Sequence, residues 1–257
     1  RNSDNFRSQL DRRTRKHLDA LLAKAAPSNF VSVQHFPAYA FERDPQAAYN
    51  VGRVMFETDS LPADWALRCN QMDEIWVPTD FNVETFRRAG VIARLIKVPG
   101  GIDTARFRPG LKPLRVPGAR GTVFLSIFEW IYRKGWDVLL RAWAEAFAPD
   151  DDVSLVLRTY PVNAADSPDT TAEIENRINC FLQEALGKSR EQVAPIVVLG
   201  AQIPEPRLPR LFAAADVYVA PSRGEGWGRP HMQAMACGLP AIATRWSGNL
   251  EFMNDDN

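Results

Sequence analysis

The sequence predicts an α/β protein made of two doubly wound domains, each a parallel sheet with helices on its faces. Three observations carry that prediction. Short apolar runs rich in β-branched and aromatic residues alternate with segments of helical periodicity along nearly the whole chain. The runs in the second half are almost continuously apolar, as strands covered on both faces are. A stretch rich in proline and glycine, Arg106 to Gly118, separates the two series. We therefore expect a first domain over 1–104, a linker over 105–120 and a second domain over 121–257. A ligand is expected in the cleft between them, beyond the carboxyl ends of the strands.

The first 25 residues read as a helix with Leu10, Leu18, Leu21 and Leu22 on one side and Arg12, Arg13, Arg15 and Lys16 on the other. Such a helix either packs on the protein with its basic face in water or lies on anionic lipid. Strands are expected at Phe30–Val33, Val51–Phe56, Glu74–Val77 and Arg94–Val98, with helices around Trp65–Gln71 and Val83–Ala89. The second series opens with strand Thr122–Ile127 and a helix whose Trp136, Leu139, Leu140, Trp143 and Phe147 recur at core spacing. Strand Ser154–Leu157, helix Ala172–Leu186 and strand Pro195–Leu199 follow. Helix Leu208–Ala214, strand Asp216–Ala220, helix Pro230–Ala236 and strand Ala241–Thr244 complete it.

The 31 Lys and Arg balance 31 Asp and Glu, which argues against a dedicated nucleic-acid binder. No apolar run reaches the roughly 18–20 residues of a membrane span, and no signal-peptide pattern opens the chain. Cys69, Cys180 and Cys237 lie far apart without a CxxC, which argues against a disulfide framework or a zinc site. A cytoplasmic location is expected, with the first helix as the one feature suggesting peripheral contact at the inner face of the membrane. The chain starts without Met and stops directly after an apolar segment, so we expect a piece of a longer protein.

The residues richest in chemistry are Pro221-Ser222-Arg223-Gly224-Glu225-Gly226-Trp227-Gly228-Arg229-Pro230-His231-Met232-Gln233, where a strand ends and a helix begins. Glycines let the backbone approach a ligand, and the helix start offers unpaired N–H groups suited to phosphate. Glu225 and Gln233 can both accept from hydroxyls, as a sugar attached to that phosphate would require. The plainer reading is a tight loop with a carboxylate at a helix N-terminus. His231 either touches a leaving phosphate or packs beside Trp227. Arg133 and Lys134, in the loop after Thr122–Ile127, are placed to neutralise a diphosphate, and Arg158 at the end of the next strand adds a third charge. Asp150-Asp151-Asp152 contains a DxD, but at the wrong end of the sheet, so a solvated turn is expected there and no metal. His35 follows a strand of the first domain, where it either hydrogen-bonds a donor or acceptor at the cleft or is an ordinary structural histidine. No GxSxG elbow and no P-loop occur.

Taken together, Glu225 to Gln233, Met235 to Thr244 and Ser247-Gly248-Asn249 resemble the nucleotide-sugar site of family-4 glycosyltransferases of the GT-B fold. Pro99-Gly100-Gly101-Ile102-Asp103, Lys134-Gly135, Glu57 to Pro62 and Asp73 to Thr79 are similar to further segments of that family, in a branch often acting on bacterial surface polysaccharides. The resemblance implies two Rossmann-like domains and transfer of a sugar from a nucleoside-diphosphate sugar to a hydroxyl, with retention of configuration and usually without a metal or other cofactor. It implies that Glu225 touches the donor sugar and that Lys134 holds the diphosphate. Gln233 stands where the family has a ribose-binding glutamate. Glu129 stands where it has an arginine, so Arg133 or Arg158 would replace that cation. Gly226, Trp227 and Gly228 match the loop approaching the donor, and Asn249 and Glu251 match residues near its sugar and nucleotide. His35 and Glu57 fall on the acceptor side, where a glycan, lipid-linked or protein hydroxyl is expected. A non-catalytic nucleotide-sugar-binding module and a nucleotide-sugar epimerase remain as alternatives.

Overall fold

A computed structural model describes residues 10–162 and 169–257. The first helix, α1 (Arg12–Leu22), starts where Asp11 accepts from the backbone N–H groups of Arg13 and Thr14. None of its residues is buried, and Leu21 and Leu22 are exposed. The packed version of this helix is therefore not what the described residues show.

The first sheet contains β1 (Val31–His35), β2 (Tyr49–Arg53), β3 (Glu74–Val77) and β4 (Arg94–Lys97), with helices α2 (Ala63–Cys69) and α3 (Asp80–Arg88) in the later crossovers. Its strands pair in parallel in the order β1-β2-β3-β4. Phe41, Cys69, Ile75 and Phe86 form the centre of its core. α3 is capped by Thr79, whose hydroxyl accepts from the Asn82 N–H at 3.0 Å.

The second sheet is formed by β5 (Thr122–Trp130), β6 (Val153–Pro161), β7 (Ile196–Leu199), β8 (Val217–Ala220) and β9 (Ala241–Ala243). All pairings are parallel and the order is β7-β6-β5-β8-β9. Successive residues point to opposite faces, so Leu155 and Leu157 enter one core while Val156 enters another. Helices α4 (Trp136–Ala146) and α5 (Thr171–Leu186) cover the first face. Helices α6 (Leu208–Phe212) and α7 (Arg229–Ala236) cover the second. This is the doubly wound arrangement the apolar strands imply.

The proline-rich connection is not loose. Phe107 is buried against Phe212, with ring centroids 6.0 Å apart, and Leu114, Val116 and Ala119 pack on the same core. The Leu114 N–H donates to the Arg210 carbonyl at 2.7 Å. Proline and glycine break regular structure here without preventing side chains from docking on the second sheet.

Candidate active site

Strand order in the second sheet reverses beside β5, with β6 on one side and β8 on the other. The loops leaving β5 and β8 thus lie side by side at the carboxyl end of the sheet, beside its switch point, the usual ligand position in such sheets. After β5 the chain makes a 3-10 turn over Tyr132–Lys134 and reaches Gly135 at φ +68. A Cβ on Gly135 would lie 2.0 Å from the Pro221 carbonyl oxygen, so glycine is what lets the two loops touch. Arg223 fastens them: its guanidinium donates to both Asp137 carboxylate oxygens at 2.8 Å and lies 3.8 Å over the Tyr132 ring.

Lys134 Nζ donates to the two Glu225 carboxylate oxygens at 2.7 and 2.8 Å. Arg133 Nη1 donates to the Gly224 carbonyl at 2.6 Å and stands 3.9 Å from the Glu225 carboxylate. Glu225 is only 7% exposed. Burial pushes its carboxyl pKa up. Lys134, by charge and by hydrogen bond, with smaller help from His231 and Ser222, outweighs that and holds it below the ordinary range. The Glu225 N–H donates to Ser247 Oγ at 2.7 Å, and its carbonyl accepts from the Gly248 N–H at 2.9 Å. Although glycines flank it on both sides, the Glu225 carboxylate is thus buried and ion-paired.

The first domain closes on this loop. Arg133 Nη2 lies 3.2 Å from Glu57. Cβ atoms placed on Gly224 and Gly226 would lie 2.3 Å from the Glu57 carbonyl oxygen and 2.9 Å from the Met55 side chain. A Cβ on Gly100 would meet the Trp227 indole nitrogen at 2.7 Å. Between the two walls lies a cavity of about 420 Å³, lined by Glu225, Arg133, Lys134, Gly226, Trp227 and Gly228 from one domain and by His35 and Glu57 from the other. Trp227 is buried, and its Nε1 has no hydrogen-bond partner.

Other residues singled out in the sequence lie elsewhere. β6 continues to Pro161, so Arg158 sits inside the strand, not at its end. Its guanidinium lies 5.1 Å over the Tyr160 ring and donates to the Leu199 carbonyl at 3.4 Å, outside the cavity lining. His231 is buried behind the loop, edge-on to Tyr218 with ring centroids 5.3 Å apart. Burial lowers its pKa more than the nearby Glu225 charge raises it. Gln233 is buried on α7 and is not part of the lining. Asn249 donates to the Thr244 carbonyl at 3.1 Å and lines a different cavity. Glu251 accepts from Lys97 Nζ at 2.7 Å and from the Asp80 N–H at 3.1 Å, which engages it with the first domain. Asp151 accepts from the Ala148 N–H in the turn before β6, at the amino end of the sheet. Among the described residues, no three His, Cys, Asp or Glu are grouped to hold a metal ion, and no helix is long and apolar enough to cross a membrane.

Arg53 and Met55, which the sequence did not single out, also line the cavity, as do Trp76 and Pro78, noted there only within the segment Asp73 to Thr79. Arg53, Met55 and Pro78 stand at or just beyond the carboxyl ends of β2 and β3, and Trp76 one residue before the end of β3, where the general rule for parallel sheets places a ligand. On the second-domain side, Arg133, Lys134 and the N–H groups of a helix start can face an anion, beside a carboxylate able to accept from hydroxyls.

A family model described as glycosyl transferases group 1 matches residues 119–257. A D-inositol 3-phosphate glycosyltransferase of Acidothermus cellulolyticus is 31% identical over 160 residues, covering 60% of this chain and 34% of that protein. A GDP-mannose-dependent alpha-(1-6)-phosphatidylinositol monomannoside mannosyltransferase of Mycolicibacterium smegmatis is 28% identical over 205 residues, covering 72% and 48%. The chain thus spans about a third to a half of the length of these relatives. Among solved structures, sucrose-phosphate synthase from Thermosynechococcus elongatus superposes with a TM-score of 0.62 at 20% identity, over 92% of this chain and 60% of that one. TarM of S. aureus, solved with UDP, gives a TM-score of 0.60 at 12% identity, over 82% and 40%. These likenesses show the two-domain GT-B fold.

Proposed function

Because the chain belongs to the group 1 glycosyl transferases, we propose that it carries the nucleotide-sugar site of an enzyme moving a sugar from a nucleoside-diphosphate sugar to a hydroxyl, in glycan or surface polysaccharide synthesis. One observation carries the reading: the Lys134–Glu225 pair, beside Arg133, at the point where the second sheet reverses its strand order. There the positive groups meet the diphosphate and the carboxylate meets the sugar hydroxyls. In the reaction the bond between the anomeric carbon and the diphosphate oxygen breaks. The acceptor oxygen bonds to that carbon on the same face, and the acceptor proton passes to the departing phosphate oxygen. Arg133, Lys134 and the N–H groups opening α7 stabilise the charge that develops on the leaving group, with no metal required. Glu225 orients the sugar while its ring becomes electron-poor.

Relatives act, by their names, with GDP-mannose or on D-inositol 3-phosphate, which makes GDP- and UDP-linked hexoses the first donors to try. The test is calorimetric titration of the protein with UDP and GDP, joined to an assay of release of the nucleotide from the corresponding sugar donors. Binding of one nucleotide that weakens roughly tenfold or more in Lys134→Ala is the expected result. Absence of binding by either nucleotide, or unchanged affinity in the variant, overturns the assignment of this site.

A further inference from the structure

Four cations line the cavity, and three are accounted for by the donor side: Arg133 and Lys134 are ion-paired with carboxylates, and Arg229 stands exposed at the start of α7. The fourth, Arg53, comes from the opposite wall. It is the last residue of β2, half-buried, and parallel pairing places it between His35 at the end of β1 and Trp76 on β3. Glu74, the nearest acidic residue along β3, already accepts from the Trp76 indole, from the Tyr49 hydroxyl at 3.2 Å and from Arg94. Glu57 is held by Arg133. The Arg53 side chain makes no hydrogen bond or ion pair with the described residues.

A half-buried guanidinium with no acidic partner costs stability unless something else compensates its charge. The groove leading into the cavity on that side is lined by His35, Phe36, Glu57 and Trp65 among others and holds no lysine or arginine. Any anion entering along it therefore meets Arg53 as the available cation of this wall. We propose that Arg53 receives an oxyanion carried by the acceptor, so that the enzyme selects a phosphorylated or carboxylated acceptor over its neutral counterpart. The planar fork of a guanidinium suits either group. This inference rests on the proposed function, since it presumes that the second domain holds the donor and leaves the first domain to the acceptor.

The experiment measures binding to the protein saturated with whichever of UDP or GDP it takes. Inositol 3-phosphate is compared with inositol, and glucuronate with glucose, in the unaltered protein, Arg53→Met and Arg53→Lys. A preference of about tenfold or more for the charged member of at least one pair is expected in the unaltered protein. It should vanish in Arg53→Met and survive in part in Arg53→Lys, with nucleotide affinity unchanged in both. Which pair shows the preference distinguishes phosphate from carboxylate. No preference in either pair overturns the proposal, as does a preference that persists in Arg53→Met. Loss of nucleotide affinity in Arg53→Met moves Arg53 to the donor and overturns it too. Failure of any nucleotide to bind the unaltered protein would instead count against the donor site.

Discussion

The second sheet is buried on both faces and reverses its strand order beside β5, whereas the first runs β1-β2-β3-β4 without reversal and leaves Val31 and Val33 of β1 57% and 51% exposed. Both sheets are parallel and both end at the same cavity. Only the second sheet has this switch point, and the cation–carboxylate pair joins the two loops that leave its neighbouring strands there. The first sheet contributes a wall of strand-end side chains, His35, Arg53 and Trp76. Where its loops face open space, as at Gly101, they tolerate change that the touching loops of the second do not.

The largest effect should come from the glycine where the two loops of the second sheet touch. Gly135→Ala forces a left-handed backbone on a residue with a Cβ and drives that atom against the Pro221 carbonyl. A loss of about 3 kcal/mol or more is expected in urea denaturation. Gly101→Ala, in the first domain, is the contrast: nothing lies within 4 Å of its Cβ position, and its stability should match the unaltered protein. Similar losses in both variants would break the distinction between the sheets.

Next in size is Lys134→Met, which leaves the Glu225 carboxylate buried without its cation. Roughly 2–3 kcal/mol should be lost, together with nucleotide affinity. The double variant Lys134→Met with Glu225→Gln should regain part of that stability, because no lone charge remains. Additive losses would show that the two side chains are not coupled. The same pair predicts a pH effect. The Glu225 pKa is lower folded than its ordinary 4.5, so the unfolded chain binds the extra proton first as pH falls. The stabilisation is complete above that value and declines as pH drops through it towards the folded pKa. Melting temperatures of the unaltered protein and Glu225→Gln should converge over that acid range and differ most near neutrality.

The fold was legible because local and long-range signals agree: apolar runs of strand length are bounded by loop residues, and the helix with Trp136, Leu140 and Trp143 packs on them as its spacing implies. Arg133, Lys134 and Glu225 were legible as residues converging on one cleft, since strand ends and helix starts are marked in the sequence. Their pairing was not, because Lys134 and Glu225 come from loops 91 residues apart. Arg158 was misplaced by a boundary: β6 stays extended for four residues beyond Leu157, which turns a strand end into a strand interior. Arg53 gave no motif at all. It matters by its register with His35 and Trp76, and register is a property of paired strands that one strand's sequence does not display.

The smallest effect sharpens the comparison at the far edge of the domain boundary. Glu251 meets Lys97 at 2.7 Å, the same separation as Lys134 and Glu225, and Phe81 packs edge-on against Trp246 with ring centroids 5.4 Å apart. Distance alone would rank the two ion pairs as equals. Exposure does not: the Lys97 and Glu251 side chains are 36% and 16% exposed, against 17% and 9% for Lys134 and Glu225. Water and salt screen the first pair much more than the second. Glu251→Gln should therefore lower the melting temperature slightly at low ionic strength and not measurably in 1 M salt, where the Debye length is about 3 Å. The deficit of Lys134→Met should persist at both. Nucleotide affinity should be unchanged by Glu251→Gln, because its carboxylate is engaged by Lys97 and the Asp80 N–H and does not line the cavity. A marked loss of nucleotide binding in that variant would return Glu251 to the ribose, and with it would require the two domains to part and re-close when donor binds.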